Sequence, residues 1–472
     1  MRIAAPLLGL GALTLLTALF FFSPSTVVEI TKTDRGFVPE TVVIDAGTTV
    51  VFTNETERDS WPASDSHPTH QLLPEFDPKT PRAPGTNWSF TFERPGVWEF
   101  HDHLDSAFTG RIVVRGEPGQ TAAACLESRR GDPLTPECWE AEMVDALKDG
   151  GLTLAFSRVN ELYLGEPAFR RNCHDVMHIL GTAAFREFKT SNDIVTEPET
   201  VYCGYGFYHG FIEAMWVVNG MSDFSTVRTY CERTETEGSA ASGPCFHGIG
   251  HAVFDSLPGT LWRDRDAMTT SALSACMSAL FDTQARASCA SGVFNALANA
   301  MSSGDYYLSF EGFNPDSFCS TFDPLIQEVC YGETGIGYIR NTFMDRERAI
   351  TWIRSIPHMR DYLFFVYFSD ETKRSMEHLS VEVLHDSCVS LDHTRDTQSC
   401  ITGTVQGLRE QAPAQKTYAH AFPFCSTFSG ESKAFCIKEV VRGTTRQMLA
   451  TPAFVEECRC AEDAGVPSVC AP

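Results

Sequence analysis

The hydrophobic pattern changes once along the chain. From Thr26 to Val114, short β-branched or aromatic runs alternate with Gly, Pro and Asn/Asp turns: Thr26–Thr31, Thr41–Ile44, Thr48–Thr53, Ser89–Phe92, Val97–His101 and Arg111–Val114. Runs of this length and density predict the strands of a small β-sandwich. After the polar linker Gly116–Thr121 the alternation stops, and Ala, Leu, Met and Phe recur at helical spacing, as in Trp139–Leu147 and Leu152–Leu164. The chain is therefore read as multidomain, an all-β unit over residues 25–115 followed by an all-α unit over 122–472. Ahead of both, residues 1–23 contain the uncharged run Ala4–Phe22, whose 19 residues lie between a signal-peptide core and a full membrane span. We expect this segment to contact the membrane as an uncleaved anchor or a cleaved signal peptide, with the body of the protein outside the cytoplasm.

The helical half contains a repeat. Cysteines come in close pairs, Cys231 with Cys245, Cys276 with Cys289, Cys319 with Cys330, Cys388 with Cys400 and Cys425 with Cys436, at intervals of 14, 13, 11, 12 and 11. The second member often opens a Cys-x-x-Gly signature, as in Cys203 to Gly206, Cys245 to Gly248, Cys289 to Gly292 and Cys400 to Gly403. Successive second members lie 42, 44 and 41 residues apart from Cys203 to Cys330, then 70 to Cys400, as if one unit lacked its bridge. A period near 40 with helical content predicts stacked helical hairpins, either an open solenoid or a closed α/α ring. Each close pair is then a disulfide tying the end of one helix to the start of the next, contributing about 3 kcal/mol in the chain-entropy model. The glycine one turn later lets neighbouring helices approach closely. All 17 cysteines lie between Cys125 and Cys470, which points to an oxidising compartment.

Three segments, each read as a helix opened by a cysteine (Cys173, Cys203 and Cys245), carry metal-capable side chains four residues apart: His174 and His178, His209 and Glu213, His247 and His251. On a helix this spacing places both members on one face, one turn apart. Five imidazoles with Glu213, and Asp175 nearby, suffice for a transition-metal centre of one or two ions. The alternative is a hydrogen-bonded polar core without metal. The His-Glu-x-x-His pattern of zinc proteases is absent from both histidine pairs, so that activity is set aside. Polar residues recur at the equivalent positions of later units, Asn295 and Asn299, Gln406 and Glu410, Arg442 and Arg446. Left unpaired on a buried face they would cost about 1–3 kcal/mol each, so something must satisfy them.

Within the β unit, Gly36-Phe37-Val38-Pro39, Ala46-Gly47, Val50-Val51-Phe52-Thr53-Asn54, Phe90-Thr91-Phe92, Gly96-Val97-Trp98-Glu99-Phe100 and the closing Gly110-Arg111-Ile112-Val113-Val114 follow one layout. That layout resembles the cupredoxin family, including the cupredoxin-like domain of periplasmic iron-uptake proteins. The resemblance covers residues 25–115 and implies a Greek-key sandwich. Blue-copper members hold copper with two histidines, a cysteine thiolate and usually a methionine. Here the segment has no cysteine, Ser60 and Trp61 stand where the first histidine would fall, and Phe108 replaces the methionine, so a blue thiolate site is excluded. His67 and His70, with His101 and His103, offer a three- or four-nitrogen copper site instead. If residues 100–103 are extended, His101 and His103 share one side of the strand. Asp102 and Asp105 are candidate oxygen donors or partners. The alternative is a scaffold whose metal site is vestigial.

The net charge of -24, from 61 acidic and 37 basic residues with no Lys/Arg-rich run, argues against a nucleic-acid partner. There is no nucleotide loop, no haem-attachment motif and no nucleophile elbow. The expectation is an extracytoplasmic metal-binding protein. Copper would sit in the β domain and an unidentified transition metal in the helical one, with redox chemistry or metal transfer to a partner protein as the extension. The alternative is a non-enzymatic copper- or iron-handling or docking protein. The sequence names no reaction.

Overall fold

The computed structural model describes residues 27–64, 73, 75–94, 96–115, 136–188, 200, 203–219, 224–236, 242–343, 345–411 and 418–442. The segment read as an anchor or signal lies outside them, as do His67, His70 and Arg446. No described helix is long and apolar enough to cross a membrane.

Eight strands form the β domain: β1 Val27–Thr33, β2 Gly36–Val38, β3 Thr41–Asp45, β4 Thr48–Asn54, β5 Pro62–Ser64, β6 Asn87–Phe92, β7 Gly96–Asp102 and β8 Asp105–Arg115. They make two four-stranded mixed sheets, β2-β1-β4-β6 and β3-β8-β7-β5, in which β1 pairs parallel with β4 and β3 parallel with β8. The period-two pattern carries through. Val50 and Phe52 of β4 and Val42 and Ile44 of β3 are buried, whereas Val43 is exposed. Between the sheets Phe37, Phe52, Phe76 and Phe100 pack mostly edge to face, with centroids 4.8–6.5 Å apart. This is the sandwich the sequence predicts. Its two additional strands, β2 and β5, have three residues each, too few for alternation to be readable.

The second domain is helical: α1 Pro136–Gly165, α2 Pro167–Phe188, α3 Gly206–Asn219, α4 Phe224–Thr236, α5 Ser242–Asp255, α6 Arg265–Ala279, α7 Thr283–Ser303, α8 Pro315–Cys319, α9 Pro324–Cys330, α10 Ile336–Thr342, α11 Arg346–Arg354, α12 Arg360–Ser375, α13 Val381–Val389, α14 Thr394–Gln411, α15 Tyr418–Ser426 and α16 Gly430–Arg442. A π-helical turn, Tyr331–Gly335, joins α9 to α10. The helices α2, α3, α5, α7, α10, α12 and α14 pack side by side as an inner layer. The array closes on itself. α12 and the 3₁₀ turn Met376–His378 pack on α2, and α14 packs on the turn Cys203–Tyr205. An Arg170 Nε–Met376 O hydrogen bond of 3.3 Å and an Arg171–Glu377 ion pair of 3.2 Å fasten the junction. Of the two arrangements left open by the sequence, the contacts are those of the ring.

All five close cysteine pairs are disulfides, joined by a sixth, Cys173–Cys203, that spacing alone did not suggest. Cys173 lies inside α2 rather than opening it, so this bridge ties a helix interior to the next helix start. The glycines explain how tightly the inner layer packs. A Cβ at Gly206, Gly210 or Gly292 would fall against the carbonyl of His174, His178 or His247 respectively, and one at Gly403 would meet the Phe365 carbonyl. Gly248 is looser, its nearest neighbour being Ile212 Cβ at 3.2 Å.

Candidate metal centre

The three histidine-bearing helices α2, α3 and α5 are consecutive in the inner layer, and their four-residue pairs face one another. His178, His209, His251 and Glu213 are buried, with 4–7% of each surface exposed, while His174 and His247 are half-buried. The rings form two triangles that share His209. In the first, His174–His178, His174–His209 and His178–His209 centroids are 5.0, 5.2 and 5.0 Å apart. In the second, His209–His247, His209–His251 and His247–His251 are 4.8, 5.4 and 5.0 Å apart. A nitrogen bound at ~2.05 Å places its ring centroid ~3.2 Å from the ion, so two imidazoles at the tetrahedral angle stand ~5.2 Å apart. All six separations have that size. Within each triangle the donor atoms lie within 4.8 Å of one another, and the His178 Nε2–His209 Nδ1 and His247 Nε2–His251 Nε2 distances are both 3.1 Å.

The outer nitrogens are anchored in the way metal-binding imidazoles require. His174 Nδ1 donates to the Cys203 carbonyl at 2.8 Å, which leaves its Nε2 lone pair for the centre. Ser291 Oγ donates to Glu333 Oε1 at 2.7 Å, so it accepts from His247 Nδ1 at 3.1 Å, and His247 likewise turns an unprotonated Nε2 inward. His178 Nδ1 sits 3.6 Å from Glu213 Oε2. Glu213 therefore stands behind His178 rather than beside the other donors, and among the described residues neither of its carboxyl oxygens makes a hydrogen bond. A buried carboxylate in that position is the outer partner that a charged, ion-bound imidazole would satisfy.

Burial, reinforced by the neighbouring imidazoles, holds His178, His209 and His251 well below the usual imidazole range. Burial also lowers His247, against the pull of Glu333. Burial lifts the Glu213 carboxyl well above its usual range, and Asp255 adds to the effect. Neutral imidazoles are the metal-binding form, so His178, His209, His247 and His251 need no deprotonation at neutral pH.

The polar positions that continue the stripe also converge. Asn295, Asn299, Gln406 and Glu410 line a cavity of about 280 Å³ together with Glu333 and Arg340. Asn295 Nδ2 donates to Glu333 Oε2 at 2.7 Å, so the chain His247–Ser291–Glu333 runs from the histidine cluster to the cavity wall. Internal pairs, Arg340 with Asp370 and Lys373 with Glu410, satisfy much of the charge that the repeat places there.

In the sandwich, β7 ends at Asp102 with an irregularity between His101 and Asp102, so His103 occupies the turn and the extended geometry over residues 100–103 does not form. Both rings are nevertheless buried, with centroids 6.0 Å apart. Asp102 is committed elsewhere: it accepts from Ser60 Oγ at 3.0 Å and Trp61 N at 2.8 Å, and pairs with Lys32 at 3.7 Å. Among the described residues no third ligand joins His101 and His103.

His103 instead meets the helical domain. Tyr306 Oη donates to Asp255 Oδ1 at 3.0 Å and lies 3.1 Å from His103 Nε2, while Trp61 and Trp262 pack around them. Tyr306 adopts a left-handed backbone, φ 54°, an arrangement that costs a non-glycine residue about 1–3 kcal/mol. Asp255 is one turn beyond His251 on α5, and the continued four-residue series 247, 251, 255 is the signal in the sequence that could have found it. Ser291, Glu333 and Tyr306 carry no comparable signal. Tyr306→Phe is expected to destabilise the protein by about 1–3 kcal/mol, since it removes the only hydrogen-bond donor that the described residues offer to the buried Asp255 carboxyl, and to leave the helical metal content unchanged. Urea denaturation beside elemental analysis checks both; a loss under about 0.5 kcal/mol would mean the bond is idle.

No protein-family model and no curated protein matches the chain. Solved structures similar to part of it include a purple cupredoxin from Nitrosopumilus maritimus, 22% identical over 19% of this chain and 99% of that one, with a TM-score of 0.17. Another is a copper-containing nitrite reductase from Thermus scotoductus SA-01, 22% identical over 23% of this chain and 25% of that one, also with a TM-score of 0.17.

Proposed function

We propose that this is an extracytoplasmic transition-metal-binding protein whose principal centre is built by His174, His178, His209, His247 and His251 in the helical ring. The observation that carries this reading is the two groups of three histidines, sharing His209, in which the donor atoms lie within 4.8 Å of one another. All-nitrogen donor sets suit Cu(II) or Zn(II). When bound, such an ion supplies Lewis acidity or, for copper, one-electron chemistry. The chain's own residues position it: Cys203 O and Ser291 fix the outer nitrogens of His174 and His247, Glu213 stands 3.6 Å behind His178, and the closed ring keeps the donors out of bulk water. In the sandwich we propose a second, copper site of His67, His70, His101 and His103. The six disulfides among the described residues support an oxidising location.

Purified protein is expected to contain stoichiometric metal by elemental analysis. The double variant His174→Ala, His247→Ala is expected to lose the helical share while retaining the far-ultraviolet circular dichroism of the wild type. Unchanged metal content in that variant would remove the helical centre. A catalytic role is favoured over storage by one feature, the polar cavity reached through Ser291 and Glu333. Consumption of oxygen, peroxide or a small polar substrate by the metal-loaded protein separates the two.

A further inference from the structure

We propose that the helical centre holds two ions rather than one, with His209 as the ligand they share. The inference rests on the metal reading of this ring and goes beyond it in the number of ions and in the role of one residue. Donor atoms that share one ion must gather close together. The donors of the five imidazoles do not make a single set within 4.8 Å of one another. They fall into two sets of three, His174 with His178 and His209, and His209 with His247 and His251.

His209 belongs to both sets because its ring lies between them. Its Nδ1 faces His178 Nε2 at 3.1 Å. On the other side the His247 and His251 rings lie 4.8 and 5.4 Å away, centroid to centroid, and one donor atom of each of the three residues lies within 4.8 Å of the others. The two nitrogens of an imidazole leave the ring in different directions, so ions bound to both stand roughly 6 Å apart. The outer anchors divide the same way: Cys203 O and Glu213 back the first set, and Ser291 with Glu333 backs the second. A neutral imidazole carries one ring proton. Binding the second ion replaces that N–H bond with an N–metal bond and releases one proton to water, with no change of oxidation state. Three protein ligands leave each ion an open coordination position, the ligand number of catalytic rather than structural sites.

The test uses the full chain, stripped with a chelator and reloaded with Cu(II). Because the sandwich can take copper as well, the quantity read is the loss relative to wild type. His174→Ala and His251→Ala are each expected to lose one ion, and His209→Ala two. Wild-type protein is expected to give the half-field paramagnetic resonance line of a coupled Cu(II) pair, and this line should vanish in all three variants. If the three variants lose the same single ion and the wild type gives no half-field line, the centre is mononuclear and the proposal fails while the metal reading stands. If no variant loses copper, the metal reading falls with it. The wild-type spectrum decides between one ion and two even where a variant does not fold.

Discussion

Gly210→Ala is expected to lower stability by about 3 kcal/mol and to empty the histidine centre, an effect out of proportion to a single methyl group. In a helix interior, alanine for glycine is ordinarily worth about 1 kcal/mol in the favourable direction. Here the sign reverses, because a Cβ at Gly210 would lie against the His178 carbonyl oxygen and only 2.7 Å from its carbonyl carbon. Both are main-chain atoms of α2, so the clash cannot be relieved by a rotamer change. The helices must separate, and His178 and His209 separate with them. Gly165→Ala is the control: it has no neighbour within 4 Å and is expected to change stability by less than about 0.5 kcal/mol. Guanidinium unfolding and bound metal, measured on both variants, decide the matter. A Gly210→Ala protein as stable and as metal-rich as the wild type would show that the ring tolerates a wider spacing.

The second large effect is on pH. Metal-free protein is expected to be most stable near pH 6.5 and to weaken on both sides. His178, His209 and His251 have folded values far below the 6.5 of a free imidazole, primarily through burial. As pH falls below 6.5 the unfolded chain takes up protons that the folded one refuses, so their contribution is complete above 6.5 and is lost on acidification. Each contributes a slope of about 1.4 kcal/mol per pH unit. Glu213 and Asp255 work in the opposite direction. Burial raises both well above the 4.5 and 3.8 of the free carboxyls, so the folded chain keeps protons that the unfolded one has released, and stability drains away as pH rises above those values. The imidazoles outnumber the carboxyls, which places the maximum where the histidines have just become neutral. Urea midpoints from pH 4.5 to 8 on chelated, disulfide-intact protein test this, and a flat profile would contradict it.

Much of this was legible in the residues, for identifiable reasons. The four-residue spacing of His174/His178, His209/Glu213 and His247/His251 fixes a helix face whatever the tertiary structure, and the Cys-x-x-Gly signature marks where inner helices touch. Close cysteine pairs were readable because their loops are too short to bridge anything but adjacent helices. The rest depends on contacts remote in sequence. Glu213 reads as a ligand from its spacing, yet the approach of α2 places it behind His178, 3.6 Å from Nδ1. Glu333 comes from a π-helical turn 82 residues after His251, and its bond to Ser291 has no local pattern. His103 reads as part of a strand, but the irregularity at His101 and Asp102 turns it toward Tyr306.

The glycine contacts have one more consequence. In this ring the distance between ligands is gauged by backbone resting on backbone, at Gly206 on His174, Gly210 on His178 and Gly292 on His247. A transplant of the centre into another helical scaffold would have to carry the glycines as part of the binding site, because they are the spacers that calibrate it.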